Sequence, residues 1–337
     1  MTAAQNIEFS NRIPVSIITG FLGSGKTTLL NHLVSQPGME SAALIINEFG
    51  EIGLDNLLVE SAIENTLLLE NGCICCSVRG DLIDTVGDLF AKARNGSIPD
   101  FSRILIETTG LAEPSPIINT IQNERVMADR CRLDSVVTLI DGVQGISQAK
   151  SHSEARAQIA QADLGLITKR DLIDDRQEAN LRAYAEDINP TLTVTSVQNG
   201  EVAPGMLFGR DDAGAIAGIP EHHHEHHYDP DESGSRHGGI STWSYVHKAP
   251  LDRDRLNSWL KMIYSLRAAQ LLRFKGLLRI EGHDTPLLIQ AVGPVLGAPR
   301  FLPEWPSDET MNRLVFIAKG LPAETLEASF KRHVLAD

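Results

Sequence analysis

Gly20, Gly25, Lys26 and Thr27, in "IITGFLGSGKTTLLNHL", fit the pattern G-x-x-x-x-G-K-[ST]. An apolar run precedes the pattern and a helical stretch follows it, which is the context such a loop needs. Its glycines let backbone N–H groups turn inward around phosphate oxygens. Gly20, Gly23, Ser24, Gly25, Lys26, Thr27 and Thr28 are therefore candidates for binding a nucleotide's phosphates. Lys26 supplies a point charge to the β- and γ-phosphates. The Thr27 hydroxyl suits Mg²⁺, and the helix N-terminus adds its positive end. A glycine-rich turn with a capping threonine is the bland alternative, and the flanking strand and helix argue against it.

A Mg²⁺ site also needs a carboxylate at the end of a neighbouring strand. "RILIETTG" offers Glu107, with Gly110 two residues beyond Thr108. A glycine placed there can donate its N–H to a γ-phosphate and move when that phosphate leaves. Lys26, Thr27, Glu107 and Gly110 form the candidate catalytic set. The base is read from "LITKRDL", which has the shape Asn-Lys-x-Asp with Thr168 in the Asn position. Asp171 would accept from guanine N1–H and N2–H₂ and Lys169 would lie along the base plane. Adenine has no such donor pair, so GTP is favoured. Thr168 keeps a hydroxyl but loses an amide, which predicts modest base affinity. Thr195 and Ser196 mark a weaker candidate for a last base-contacting loop.

Three of the four cysteines fall within four positions, Cys73, Cys75 and Cys76 in "ENGCICCSVRGDL". A disulfide, a buried bystander group and a soft-metal grip are the readings. A reducing compartment disfavours the first, and a bridge between Cys75 and Cys76 would strain the backbone. Three thiolates do not complete a tetrahedral zinc site. The fourth position is left to a further ligand or to exchange. Glu48 and Glu51 in "INEFGEIGLDNLL" are hard-ligand candidates. His222, His223, His224, His226 and His227, with His237 nearby, are others; a solvated polar linker is the alternative for that cluster. An open soft-ligand site beside a nucleotide pocket suits a protein that picks up and hands over a metal, Zn²⁺ or Co²⁺, with Cu(I) chemically allowed. His32, His152, His247, His283 and His333 read as ordinary core or surface residues, and Cys131 as packing.

These residues need a scaffold. The chain has 337 residues, 42% of them hydrophobic, enough for two domains. Its net charge of −14 argues against nucleic-acid and anionic-membrane partners. The first residues lack a signal-peptide core and no apolar run spans a bilayer, so a cytoplasmic protein is expected. Short runs rich in Val, Ile and Thr at 14–20, 41–47, 102–110, 134–141, 163–169 and 191–197 alternate with helical candidates such as 26–36, 80–95 and 151–161. Continuous rather than alternating apolarity predicts an α/β fold, a parallel sheet with helices on both faces. Residues 1–200 form that domain. Residues 201–239 read as a His-rich flexible linker. Residues 240–337 resume as a small α+β domain, with a strand opening in "ISTWSYVHKAP", a helix near 252–269, short strands at 273–281, 286–292 and 313–318, and a last helix near 322–332.

Taken in order, "GFLGSGKTTLLNHL", "INEFGEIGLDN", "ENGCICCSVRGDL", "IETTGLAEPSPI" and "TKRDL" resemble the CobW-type P-loop GTPases. These are relatives of the GTPases that assist nickel insertion into urease and hydrogenase. The internal His-rich stretch and "RLVFIAKGL" agree, so the resemblance spans nearly the whole chain. It implies a P-loop NTPase domain followed by a small CobW C-terminal domain. It also implies slow GTP hydrolysis coupled to binding and transfer of zinc or cobalt to a client metalloprotein. Cys73, Cys75 and Cys76 match its metal motif; Gly25, Lys26, Thr27, Glu107 and Asp171 match its nucleotide motifs, with a departure at Thr168. Low intrinsic hydrolysis, raised by a partner or by homo-oligomerisation, is expected. A metal-storage or metal-sensing protein with nucleotide as a structural ligand, and a kinase using the same loop, are the rival readings.

Overall fold

The computed structural model describes residues 12–46, 67–70, 78–209, 213–219 and 239–335. The chain divides into two compact units. The first comprises Met1–Gln158, Ala162–Arg182 and Val194–Arg210; the second comprises Ile159–Gln161, Ala183–Thr193 and Asp211–Asp337.

The first unit is built on a seven-stranded sheet. Its strands are β1 (Ile13–Gly20), β2 (Ala42–Ile46), β3 (Leu67–Glu70), β4 (Arg103–Glu107), β5 (Cys131–Asp141), β6 (Leu164–Thr168) and β7 (Thr193–Ser196). They lie in the order β3-β2-β4-β1-β5-β6-β7. The pairings from β3 across to β6 are all parallel. The helices are α1 (Lys26–Val34), α2 (Val78–Arg94), α3 (Ser115–Asn123), α4 (Arg125–Arg130), α5 (Gly145–Ser151), α6 (Ser153–Gln161) and α7 (Asp175–Ile188). The continuous apolar runs have their physical reason here, because the middle strands are buried along nearly their whole length. On α1, Leu29, Leu30 and Leu33 are fully buried and pack with Ile18, Leu105, Leu139 and Leu166. Each such side chain contributes about 1.5–3 kcal/mol of burial. That packing fixes α1, and so the loop before it, at the C-terminal edge of the sheet.

The expected helix at 151–161 is α6, which begins at Ser153; the extended His152 (φ −131°, ψ 119°) separates it from α5. The four-residue β3 is an additional strand, too short for periodicity to reveal. The linker expectation over 201–239 is corrected at its start. Short helices α8 (Pro204–Leu207) and α9 (Ala213–Ala217) occupy it. Val202, Leu207 and Phe208 join the core of the first unit. Ala213, Ile216 and Ile219 are buried in the second, where Arg313 Nε donates to Ile219 O at 2.9 Å. Apolar residues spaced for one or two turns bury well but leave no readable period. The histidines at 222–227 and 237 lie outside the described residues.

The second unit holds an antiparallel sheet in the order β11-β10-β9-β13-β8, with β12 on β10. Its strands are β8 (Ile240–His247), β9 (Leu271–Leu278), β10 (Leu287–Val292), β11 (Val295–Leu296), β12 (Arg300–Phe301) and β13 (Asn312–Lys319). With α10 (Arg253–Arg267) and α11 (Ala323–Phe330) it encloses an aromatic core of Trp243, Trp259, Phe274, Phe316 and Phe330. Phe274 and Phe316 stack at 4.2 Å and Trp259 meets Phe330 edge-on at 5.1 Å. The ends of α6 and α7 belong to this unit: Asn189 Nδ2 donates to Ile159 O and Ala160 O, and Thr242 Oγ1 to Ile188 O. Among the described residues no helix is long and apolar enough to cross a membrane.

Candidate functional site

The loop between β1 and α1 takes backbone angles that only glycine adopts cheaply. Gly20, Gly23 and Gly25 have φ of 147°, 71° and 93°. A Cβ on Gly20 would also stand 2.6 Å from Leu139 O. Gly25 is the N-cap of α1, and no side chain caps that end. Ser24 is buried, and its Oγ has no hydrogen-bond partner. Lys26 Nζ curls back to Gly20 O at 3.0 Å, which places its ammonium at the loop. Thr27 is half-buried and Thr28 exposed.

Glu107 ends β4 beside β1, in register with Ile18, and is 3% exposed. After it, Thr108 Oγ1 donates to Thr19 Oγ1 at 2.8 Å, and Thr108 N to Ile18 O at 3.0 Å. Gly110 then presses on the phosphate loop. A Cβ there would meet Leu22 N at 2.8 Å and Leu22 Cα at 2.9 Å. The structure thus brings the loop Gly20–Thr28 together with Glu107 and Gly110, which lie 79 or more positions further along the sequence.

The expected base loop lies beside them. Thr168 Oγ1 donates to Ser24 O at 2.8 Å and shares Ile140 O at 3.3 Å. Its hydroxyl therefore ties β6 to the phosphate loop. Lys169 is left-handed (φ 54°), and Asp171 is exposed on the short turn Arg170–Leu172. Lys169 Nζ meets Asp141 Oδ2 at 2.5 Å. Asp141, which ends β5, also accepts from Val143 N at 2.8 Å and Gln144 N at 3.0 Å. Sequence reading missed Asp141, although a carboxylate ending the apolar run "VVTLID" is the same signal that marked Glu107. Gly200 was missed too. It has φ 78°, and a Cβ on it would meet Thr28 O at 2.8 Å. The loop from β7 therefore abuts the start of α1. Ser196, the weaker candidate for a base-contacting loop, donates its hydroxyl to Glu178 on α7. Glu178 also pairs with Arg170 Nε at 2.5 Å and Arg182 Nη2 at 3.2 Å. The Ser196 hydroxyl, then the two arginines, hold the Glu178 carboxyl below its usual range against the opposing pull of burial. His152, expected to be ordinary, stacks its ring on Phe21 of the phosphate loop at 4.6 Å.

The residues present fit a nucleotide's phosphates and a Mg²⁺ ion. Gly20, Gly23 and Gly25 put no side chain into the cradle, Ser24 Oγ is a buried hydroxyl with no partner, and Glu107 is a buried carboxylate at the same edge. Cys73, Cys75, Cys76, Glu48 and Glu51, like His222, His223, His224, His226 and His227, lie outside the described residues. Among the described residues no group of three His, Cys, Asp or Glu is placed to hold a metal. Cys131 is buried as expected for packing, and burial pushes its thiol up to about 12.

Residues 14–196 match the family described as CobW/HypB/UreG, nucleotide-binding domain, and residues 240–334 match the cobalamin synthesis protein cobW C-terminal domain. The zinc chaperone YjiA of Escherichia coli is 33% identical over 320 residues, covering 95% of this chain and 98% of that protein. The zinc chaperone CobW of Pseudomonas aeruginosa is 31% identical, covering 92% of this chain and 88% of its own. The crystal structure of Zn(II)-bound YjiA GTPase from E. coli superposes with a TM-score of 0.73 at 31% identity, over 96% of this chain and 99% of that one. With the phosphate loop, the strand-end carboxylate and the C-terminal sheet all in place, the chain belongs to the CobW/HypB/UreG family of nucleotide-binding proteins.

Proposed function

We propose that this chain is a GTP-hydrolysing metallochaperone. It takes up Zn²⁺, with Co²⁺ as the alternative, through Cys73, Cys75 and Cys76 and passes it to a client metalloprotein under control of nucleotide state. Relatives named as zinc chaperones and as a zinc-regulated GTPase metalloprotein activator support the class. The observation that carries the coupling is a strand register. Glu70, the last residue of β3, pairs with Ile46, and Ile46 pairs with Glu107 on its other side. At ordinary strand spacing, Glu70 and Glu107 are then about 10 Å apart. Cys73 follows Glu70 by three residues.

In this reading the N–H groups of Gly20–Thr28 hold the phosphates, and the Lys26 ammonium neutralises charge on the β- and γ-oxygens. Asp171 accepts from the guanine edge on a turn braced by Arg170. Thr27 and Glu107 would hold Mg²⁺, which supplies charge neutralisation at the phosphates when bound. Gly110, seated on Leu22, answers to the γ-phosphate. Its loop starts from β4, the neighbour of the β2–β3 pair that leads into the cysteine segment. Nucleotide state thereby biases how tightly the thiolates hold metal, and linkage requires metal to bias GTP affinity by the same factor.

The test is steady-state GTP hydrolysis by metal-free protein titrated with Zn²⁺ and Co²⁺, beside the triple Cys73/Cys75/Cys76→Ser variant. Metal should change the wild-type rate and leave the variant's unchanged. Zinc affinity that is equal in the GTP- and GDP-bound protein would sink the coupling and leave storage or sensing.

A further inference from the structure

The loop that carries Gly110 is held by a residue in none of the nucleotide motifs. Gln158, on α6, is 1% exposed. Its Nε2 donates to Gly110 O at 3.2 Å and to Ala112 O at 3.0 Å. Its Oε1 is buried with no partner. The side chain directs its donor at the loop and leaves its acceptor unpaired.

The position of Gln158 is itself fixed from the sheet. Its backbone carbonyl accepts from Thr138 Oγ1 at 2.9 Å. Thr138 lies in register with Thr19, and Thr19 Oγ1 accepts from Thr108 at 2.8 Å. Thr108, Thr19 and Thr138 are each buried and sit on or at the ends of the adjacent strands β4, β1 and β5. They form a polar seam that runs from the start of the Gly110 loop to the backbone of Gln158. The side chain of Gln158 closes the circuit on the loop's far end. Gly110 is thus gripped from two sides, with its carbonyl on Gln158 and its Cα against Leu22.

We propose that Gln158 is the positioning residue that sets the preference for GTP over GDP. This rests on the reading of Gly110 as the γ-phosphate contact. With both carbonyls pinned, Gly110 is held against Leu22 of the phosphate loop before nucleotide arrives. Without the pin, GTP must order residues 109–112 as it binds, and its apparent affinity falls by the fraction of time the loop is competent. GDP has no γ-phosphate, makes no use of the loop, and is spared.

The experiment is a comparison of GDP and a non-hydrolysable GTP analogue binding to full-length wild type, Gln158→Met and Gln158→Asn, with Mg²⁺ present. Met keeps the volume and loses the donor. Asn keeps the amide but is one methylene too short to span both carbonyls, and it decides the matter if the Met variant does not fold. Loss of two neutral hydrogen bonds used by one nucleotide state predicts a GTP-analogue Kd raised about five- to tenfold, with the GDP value within about twofold of wild type. A purely structural role would lower thermal stability and weaken both nucleotides alike, and that result overturns the proposal. Unchanged affinity for both nucleotides in a folded variant overturns it too. Wild type that binds neither nucleotide would instead refute the GTPase reading, and this proposal with it.

Discussion

Asp141 gives the sharpest test of how the base loop is held. It accepts from Val143 N at 2.8 Å and Gln144 N at 3.0 Å through Oδ1, and from Lys169 Nζ at 2.5 Å through Oδ2. Two substitutions separate these jobs. Asp141→Asn keeps an acceptor for the two backbone donors and loses the ion pair. Asp141→Ala loses all three contacts and leaves two N–H groups orphaned. The Lys169 side chain is 38% exposed, so solvent screens the pair, and its loss is held to about 1 kcal/mol. Each orphaned backbone donor adds about 1 kcal/mol, which brings the alanine variant to about 3 kcal/mol. At about 2–4 °C per kcal/mol for a domain of this size, the Asn variant should melt about 2–4 °C lower and the Ala variant about 6–12 °C lower. Differential scanning calorimetry of the full chain, following the transition that responds to added GTP, reads both. A Lys169→Met cycle should show coupling of about 1 kcal/mol with Asp141→Asn. Equal losses for Asn and Ala would refute the division of labour, and zero coupling would show that the Lys169 pair contributes nothing.

Three further outcomes follow from the same geometry. Gly20→Ala should reduce GTP affinity at least about 100-fold in a fluorescent-nucleotide titration, because φ of 147° is strained for alanine and its Cβ would overlap Leu139 O; affinity within threefold of wild type would contradict it. Glu178 is held below its ordinary value of 4.5, so its contribution is present above that pH and is lost as pH falls through the lowered value. Urea unfolding of wild type and Glu178→Gln should therefore differ at pH 7 and converge as pH drops below 4.5; a gap that widens on acidification would count against it. With Cys73, Cys75 and Cys76 replaced by Ser, the native protein should show no thiol reacting with Ellman's reagent within minutes at pH 8, since burial raises Cys131 to about 12, and one thiol should appear on denaturation.

Much of the site was legible because its signals are local. The phosphate loop announces itself in eight consecutive positions, since left-handed backbone demands glycine and phosphate demands a lysine and a hydroxyl close by. Thr168, Lys169 and Asp171 were likewise readable within one turn. The strands showed as apolar runs because both faces of a parallel sheet are covered. The start of the linker misled, since α8 and α9 bury Leu207 and Ile216 on segments too short to repeat a period.

What the sequence determined by itself is thus a set of chemical parts and the fold class that carries them: a glycine-rich loop between strand and helix, a strand-end carboxylate, an aspartate on the turn after β6 and a doubly covered sheet. The tertiary structure decided which side chains hold those parts in place. Asp141 finds Lys169 across 28 positions, Thr168 finds Ser24 across 144, and Gln158 finds Gly110 across 48. Hydrogen bonds of that kind leave no periodicity, because an Asp, a Thr or a Gln looks alike in sequence whether it faces solvent or a buried carbonyl. Only the parallel register, which sets the ends of β1, β4, β5 and β6 at one edge, brings donor and acceptor within reach.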